Sequence, residues 1–233
     1  MKIMIIALSG PDGTGKTSCA KILSILLRKR GVDTNHVWVK HVHTFAYIIV
    51  RMLEIISRRQ VVRSPSGTFV SHSMARYSKL WMWIEFLGIL PLILRTHIYA
   101  KLSNITKKSS VIIADRYILD SLVHIVISLV YFKGYVSEND IDKTMRFLPF
   151  KILRAFLIKS TLNILLDGNV DVLMKRKKDR SDPRNYLRLQ RLLYKLISSK
   201  LSIPIIYIDT TDKPLHTVCS DIIQRLMVMS YGQ

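Results

Sequence analysis

Eight consecutive residues, Gly10-Pro11-Asp12-Gly13-Thr14-Gly15-Lys16-Thr17, fit the pattern G-x-x-x-x-G-K-[ST] without a mismatch. Glycines at 13 and 15 permit backbone conformations that turn successive N–H groups toward one centre, where phosphate oxygens can be held. A helix starting at the same place adds its positive dipole end. In this pattern Gly10, Asp12, Gly13, Thr14, Gly15, Lys16, Thr17 and Ser18 form the phosphate loop of a triphosphate such as ATP. Lys16 reaches the β- and γ-phosphates as a point charge, and the Thr17 hydroxyl joins a Mg²⁺ shell. The plain structural alternative is a glycine turn beside a surface lysine. The pattern arises by chance in about one chain per hundred of this size, and a strand before it with a helix after it makes chance rarer still.

Asp12 is out of place in a loop built to attract phosphate, because a carboxylate repels it unless it points elsewhere. Two readings stand: an Asx-type turn or helix cap, or a contact to an acceptor hydroxyl beside the γ-phosphate. A second charged group follows the apolar run Val111 to Ala114, which ends in Asp115-Arg116-Tyr117. In doubly wound folds ligands bind outside the carboxyl ends of strands. Asp115 then stands at a Walker-B-like position that holds Mg²⁺ through water, and Arg116 can bridge donor and acceptor phosphates as charge develops. The competing reading is a strand-end salt bridge. A third group, Arg176, Lys177, Lys178, Arg180 and Arg184 around Asp182-Pro183, reads as a basic, partly disordered loop able to close over a triphosphate, or as a solvated basic helix end.

The elements that must position these groups alternate between short apolar runs and longer helical patterns, which implies an α/β fold with a parallel sheet covered on both faces. Five strands are expected: Ile3 to Leu8, His36 to Val42, Val111 to Ala114, Leu162 to Asp167 and Ile205 to Asp209. Helices are expected at Thr17 to Arg30, ending at Gly31, at Ala46 to Ser57, within Ser73 to Leu102, at Leu119 to Phe132, and from Val170 to Lys178. Ser137, with Asp140 three residues on, opens another through an acidic variant of the capping box. Pro65 and Gly67 mark a loop. With no linker or repeat, residues 1–233 read as a single domain, with the basic segment near 176–186 able to act as a lid.

Composition limits the alternatives. Apolar residues make up 49% and charged residues 22%, which excludes a disordered chain. The net charge of +20 favours anionic partners without choosing among nucleotides, nucleic acid and acidic lipid. A nucleic-acid-associated ATPase is therefore a rival reading, but no recognition motif supports it and a nucleic-acid partner is not expected. Cys19 and Cys219 have no metal-ligand spacing and give a disulfide framework nothing to rest on, so a reducing, cytoplasmic setting is expected. The run Ile3 to Leu8 is too short for a secretory core. Leu80 to Leu94, interrupted by Glu85 and Pro91, falls short of a membrane span and reads as a core helix.

The loop Gly10 to Ser18, together with Asp115-Arg116-Tyr117 and Ser121, resembles thymidylate kinases. Asn163 to Arg180 is similar to that family's fourth strand and lid, and Ile205 to Pro214 to its fifth strand and adenine-side loop. The resemblance covers about 60% of the chain and implies a P-loop NTPase with sheet order 2-3-1-4-5, acting with ATP and Mg²⁺ on a nucleoside monophosphate, dTMP first among them, as a homodimer. It further implies Asp12 for the acceptor sugar, Arg116 for the phosphates, Arg176 for stacking on adenine, and Arg180 or Arg184 as the lid arginine, since Gly13 leaves the loop without one. The sequence departs from the family where Arg63-Ser64-Pro65-Ser66-Gly67-Thr68 arrives some twenty residues late. It departs again where Leu80 to Phe86 carries Glu85, Trp81 and Trp83 in place of the base-facing arginine. Asn185-Tyr186 replaces the glutamate that follows the lid arginine, and His41 and His43 add polar groups with no assigned role. A remodelled acceptor pocket is the expectation.

Overall fold

The computed structural model describes residues 4–38, 61–63, 69–71, 78–105, 110–133, 137–158, 162–176 and 184–231. Five parallel strands form its main sheet: β1 (Met4–Ser9), β2 (Asp33–Trp38), β5 (Ser110–Asp115), β6 (Leu162–Asp167) and β7 (Ile205–Asp209). Their order is β2-β5-β1-β6-β7, which is 2-3-1-4-5 when only these strands are counted. Between β2 and β5 lie β3 (Val61–Arg63) and β4 (Phe69–Ser71), a short antiparallel pair that the sequence reading does not contain.

Period-2 alternation explains how one strand serves two faces. Ile5 and Ala7 of β1, with Ile112 and Ala114 of β5, belong to one apolar layer. Ile6 and Leu8, with Val111 and Ile113, belong to the other. The first layer is covered by α2 (Ser78–Ile105), α3 (Ile118–Lys133), α5 (Leu148–Ile158) and α7 (Arg184–Leu201). The second is covered by α1 (Lys16–Lys29) and α8 (Leu215–Tyr231). Each fully buried branched side chain here, Ile6, Leu8, Ile112 and Ile113 among them, stabilises the fold by about 1.5–3 kcal/mol relative to exposure. The capping box forms as read: the Asp140 N–H donates to Ser137 Oγ at 3.1 Å at the start of α4 (Glu138–Met145).

Three expectations need correction. The second strand begins at Asp33 and not at His36; its register runs from Asp33 opposite Ser110 to Trp38 opposite Asp115, and residues 39–42 of the expected strand lie outside the described residues. As an edge strand it buries Thr34, bonded to Ser24 and Arg28 of α1, packs Val37 against the core, and tolerates polar residues elsewhere, which is what hid it. The apolar stretch Leu80 to Leu94, read as too short to cross a bilayer, lies within a longer apolar helix: α2 runs from Ser78 to Ile105 through the exposed Pro91. The segment Met82–Leu102 is thus long and apolar enough, by length and composition, to cross a membrane, although Met82, Ile84, Phe86, Ile89 and Ile93 are buried in this fold. Finally, Arg184 opens the long helix α7 instead of belonging to an irregular basic loop. The expected helix Ala46 to Ser57 and the Pro65–Gly67 loop lie outside the described residues.

Register sets the site. Leu8 stands opposite Asp115, so β1 and β5 end level, and the two charged motifs leave the sheet side by side at its carboxyl edge.

Candidate functional site

The phosphate loop leaves β1 through Gly10, whose φ is 144°. A Cβ there would stand 2.0 Å from the carbonyl oxygen of Leu166 on β6, so only glycine lets the loop pass that close to the neighbouring strand. Gly13, at φ 89°, would bring a Cβ within 2.9 Å of the Leu173 carbonyl oxygen, and that carbonyl belongs to α6 (Val170–Arg176). No side chain caps α1, which leaves its first-turn N–H groups available to an anion. Thr14 Oγ1 donates to the Pro11 carbonyl at 2.9 Å. Lys16 is buried and donates from Nζ to the carbonyls of Gly10 at 2.5 Å and Pro11 at 2.8 Å. Burial, aided by Arg116, lowers its pKa from the ordinary lysine value. Thr17 and Ser18 are exposed at the mouth of the loop.

Arg116 follows β5 with φ 57°, in the left-handed region, a strained backbone for a residue with a side chain. Its N–H donates to the Leu8 carbonyl at 3.1 Å, strapping the turn to β1. Tyr117 is fully buried beside it, and its hydroxyl lies 2.8 Å from His97 Nε2 on α2. So held, Arg116 places Nη2 2.6 Å from Asp12 Oδ1. Desolvation opposes the guanidinium charge, yet Asp12, Asp120 and Tyr194 together raise its pKa above the ordinary value. Asp12 therefore points at the strand-end arginine, and its Oδ1 also lies 4.0 Å from Lys16 Nζ.

Asp115 is fully buried, and neither carboxylate oxygen has a hydrogen-bond partner among the described residues. Buried orphan oxygens are costly, and the Asp115 charge acts on Lys16 of the phosphate loop. Among the described residues no group of three His, Cys, Asp or Glu side chains could cage a metal by itself.

Residues of α7 that sequence reading did not single out complete the site. Gln190 Oε1 accepts the Asp12 N–H at 3.1 Å, and Tyr194 OH donates to Asp120 Oδ1 at 2.7 Å. The two are four apart and share the buried face of the helix. Burial raises the Asp120 pKa against the opposing pull of Lys16, Tyr194, Ser9 and Arg116. The Tyr194 pKa is pushed well up by burial and by Asp120. A buried face carrying Gln and Tyr among leucines was the available signal, since buried polar groups need partners. The same helix clamps the end of β6: Arg191 donates to both oxygens of Asp167, at 2.7 and 3.0 Å, and Tyr207 OH donates to Oδ2 at 2.5 Å.

Arg176 lies along the loop after β7, donating to the carbonyls of Thr210 at 2.5 Å and Thr211 at 3.2 Å and to Thr210 Oγ1 at 3.1 Å. Arg184 is ion-paired with Asp171, on the α6 side. Arg180, His41 and His43 lie outside the described residues, as do the side chains of Arg63 and Trp81. Trp83 packs edge-on against Phe86 and Phe147, with ring centroids 5.7 and 5.8 Å away, as a core aromatic. Glu85 is buried 3.9 Å from His124 Nε2 of α3.

No protein-family model matches the chain, and no curated relative is found. Among solved structures it is similar to the YorR protein of Bacillus subtilis, crystallised in complex with phosphorylated GDP, at 15% identity over 98% of each chain with a TM-score of 0.50. The sheet order and the likeness together show that the chain shares the five-stranded parallel α/β fold of that protein.

Proposed function

We propose that the chain transfers the γ-phosphoryl group of ATP to a nucleoside monophosphate, with dTMP the leading acceptor. One observation carries this reading: Asp12 of the phosphate loop and Arg116 of the strand-end motif are joined at 2.6 Å, so a donor cradle and an acceptor-side cation share one centre. Phosphoryl transfer asks the protein for positioning and charge neutralisation and needs no covalent intermediate.

In this reading the N–H groups of Gly13 to Ser18 and Lys16 Nζ hold the triphosphate, and Arg116 bridges it to the acceptor phosphate and stabilises charge spreading over the transferred oxygens. Asp12 fixes the angle of Arg116 and takes a hydroxyl of the acceptor sugar. Arg176, hydrogen-bonded to the Thr210 and Thr211 carbonyls, gives the adenine a face to stack on. Arg180 is the lid arginine. The orphaned Asp115 and the exposed Thr17 suit Mg²⁺, which favours one or two protein oxygens plus substrate phosphates; when bound it would neutralise phosphate charge there.

A second reading, phosphorylation of a hydroxyl on a nucleoside or other small molecule, is favoured by the balance of charge. Asp12, Asp115 and Asp120 all act on Lys16, with Arg116 as the neighbouring cation, and a neutral acceptor meets that surplus of carboxylates more easily than a dianion. ADP release with ATP, Mg²⁺ and a panel of deoxy- and ribonucleoside monophosphates, guanine nucleotides among them, against thymidine and no acceptor, tests both. Turnover with dTMP supports the first reading and turnover only with hydroxyl acceptors supports the second. Hydrolysis independent of any acceptor would discard both.

A further inference from the structure

Cys19 and Cys219 are the chain's two cysteines, and they meet in the core with their sulfurs 3.2 Å apart. Spacing along the sequence gave no reason to pair them. The fold does, because α1 and α8 cover the same face of the sheet, and Cys19, Ala20, Val218 and Cys219 fall in one apolar layer. The separation is inside the roughly 3.5–4.0 Å at which buried non-bonded atoms settle. A disulfide, with its bond of about 2.05 Å, would draw together two sulfurs that already touch. Neither thiol is used by the phosphate site, and both are fully buried.

We infer that Cys19 and Cys219 form an intramolecular disulfide that fastens α8 to α1, the helix that opens at the phosphate loop. The bridge closes a loop that spans nearly the whole chain, the case in which a cross-link restricts the unfolded state most. It also holds the start of α8 against the loop, where Leu215 Cδ1 lies 3.3 Å from the Cβ position of Gly15.

The chemistry is thiol–disulfide exchange with a small-molecule disulfide of the glutathione type. The Cys219 thiolate attacks one sulfur of the small disulfide and expels one small thiolate, leaving a mixed disulfide on Cys219. Cys19 loses its proton and attacks Cys219 Sγ, expelling the second small thiolate. Two electrons and two protons pass to the oxidant, which ends as two small thiols. The order follows from the pair itself: the contact to Cys19 lowers the Cys219 pKa, while the same contact and burial raise that of Cys19. Because both sulfurs are enclosed, the first attack takes place while α8 is locally open or not yet docked.

The test is to refold the full chain in a glutathione redox buffer and, separately, in dithiothreitol, then block thiols under denaturing conditions and record intact mass and peptide maps. The expected result is loss of two hydrogens, a linked pair of peptides containing Cys19 and Cys219, and no alkylation. A rise in Tm of about 5 to 15 °C over the reduced chain should accompany it, absent in Cys219→Ser. Two free thiols, a stable glutathione adduct or an intermolecular dimer after oxidation would overturn the assignment, as would a bridge that leaves Tm unchanged. None of these readouts depends on kinase activity.

Discussion

Arg116 Nη2 and Asp12 Oδ1 lie 2.6 Å apart, although 104 residues separate them in the chain. The contact exists because β1 and β5 end level, so the loop after one meets the turn after the other. It gives the two residues separable roles. Arg116→Ala should lower kcat/KM by about 10² to 10⁴, the effect of losing one preorganised transition-state contact. Asp12→Asn keeps shape and removes charge, so it should weaken acceptor use more than ATP binding. Steady-state kinetics with each substrate varied in turn checks both, and an equal loss for ATP and acceptor in Asp12→Asn would contradict the direction assigned to its carboxylate.

Tyr194 is tied to Asp120 at 2.7 Å inside the protein, and Tyr194→Phe removes the donor while leaving the carboxylate enclosed. A buried acceptor stripped of its partner costs about 1–3 kcal/mol, so thermal unfolding of the variant should fall by roughly 2–10 °C for a domain of this size. Gln190→Leu, one turn earlier, releases the Asp12 N–H instead. It should raise the KM for ATP with a smaller change in Tm, because that N–H belongs to the phosphate loop.

The parts of the site that could be read from sequence are those in which backbone chemistry and residue identity coincide. Gly10, Gly13 and Lys16 announce themselves because few other residues could occupy their conformations or contacts, and Asp115-Arg116 because four apolar residues point to a strand end. The order of the sheet followed from the resemblance those motifs carry. Gln190, Tyr194 and Asp120 were not legible. Their partners lie up to 178 residues away, and a polar residue on a helix declares its burial only once the facing element is known. The edge strand Asp33–Trp38 was misplaced for a related reason: with one side half covered, its polar residues break the apolar run that marks a buried strand. The contact between Cys19 and Cys219, both free thiols here, was not legible because spacing in sequence carries no information about helices that share one face of a sheet.

The outer side of α2 exposes Leu87, Leu94, Ile98 and Leu102, an apolar stripe wider than scattered surface residues produce. The homodimer that the family resemblance implies is an expectation, and this stripe is where it can be tested. Ile98→Glu, with Leu94→Glu, should shift the molecule from dimer to monomer in sedimentation velocity without lowering Tm in dilute solution by more than a few degrees. A wild-type chain that sediments as a monomer at micromolar concentration would reject the assignment.

Glu85 gives a pH signature that no surface group imitates. It is enclosed on α2, and desolvation pushes its pKa up to about 8, against about 4.3 in an unfolded chain. Between these values the folded protein holds a proton that the unfolded chain has released, so the native state binds more protons and stability falls as pH rises. Below about pH 4 both states are protonated and the penalty vanishes; above about pH 8 both are ionised and it is constant. His124 Nε2 stands 3.9 Å away, and the cause of the raised value is burial. Glu85→Gln keeps the shape of the side chain and abolishes the titration. Its Tm should match the wild type near pH 4, exceed it by a margin that widens through pH 6 and 7, and level off above pH 8. A margin that is flat across this range would show that Glu85 is ionised in the folded protein, held by a cation rather than neutralised by burial.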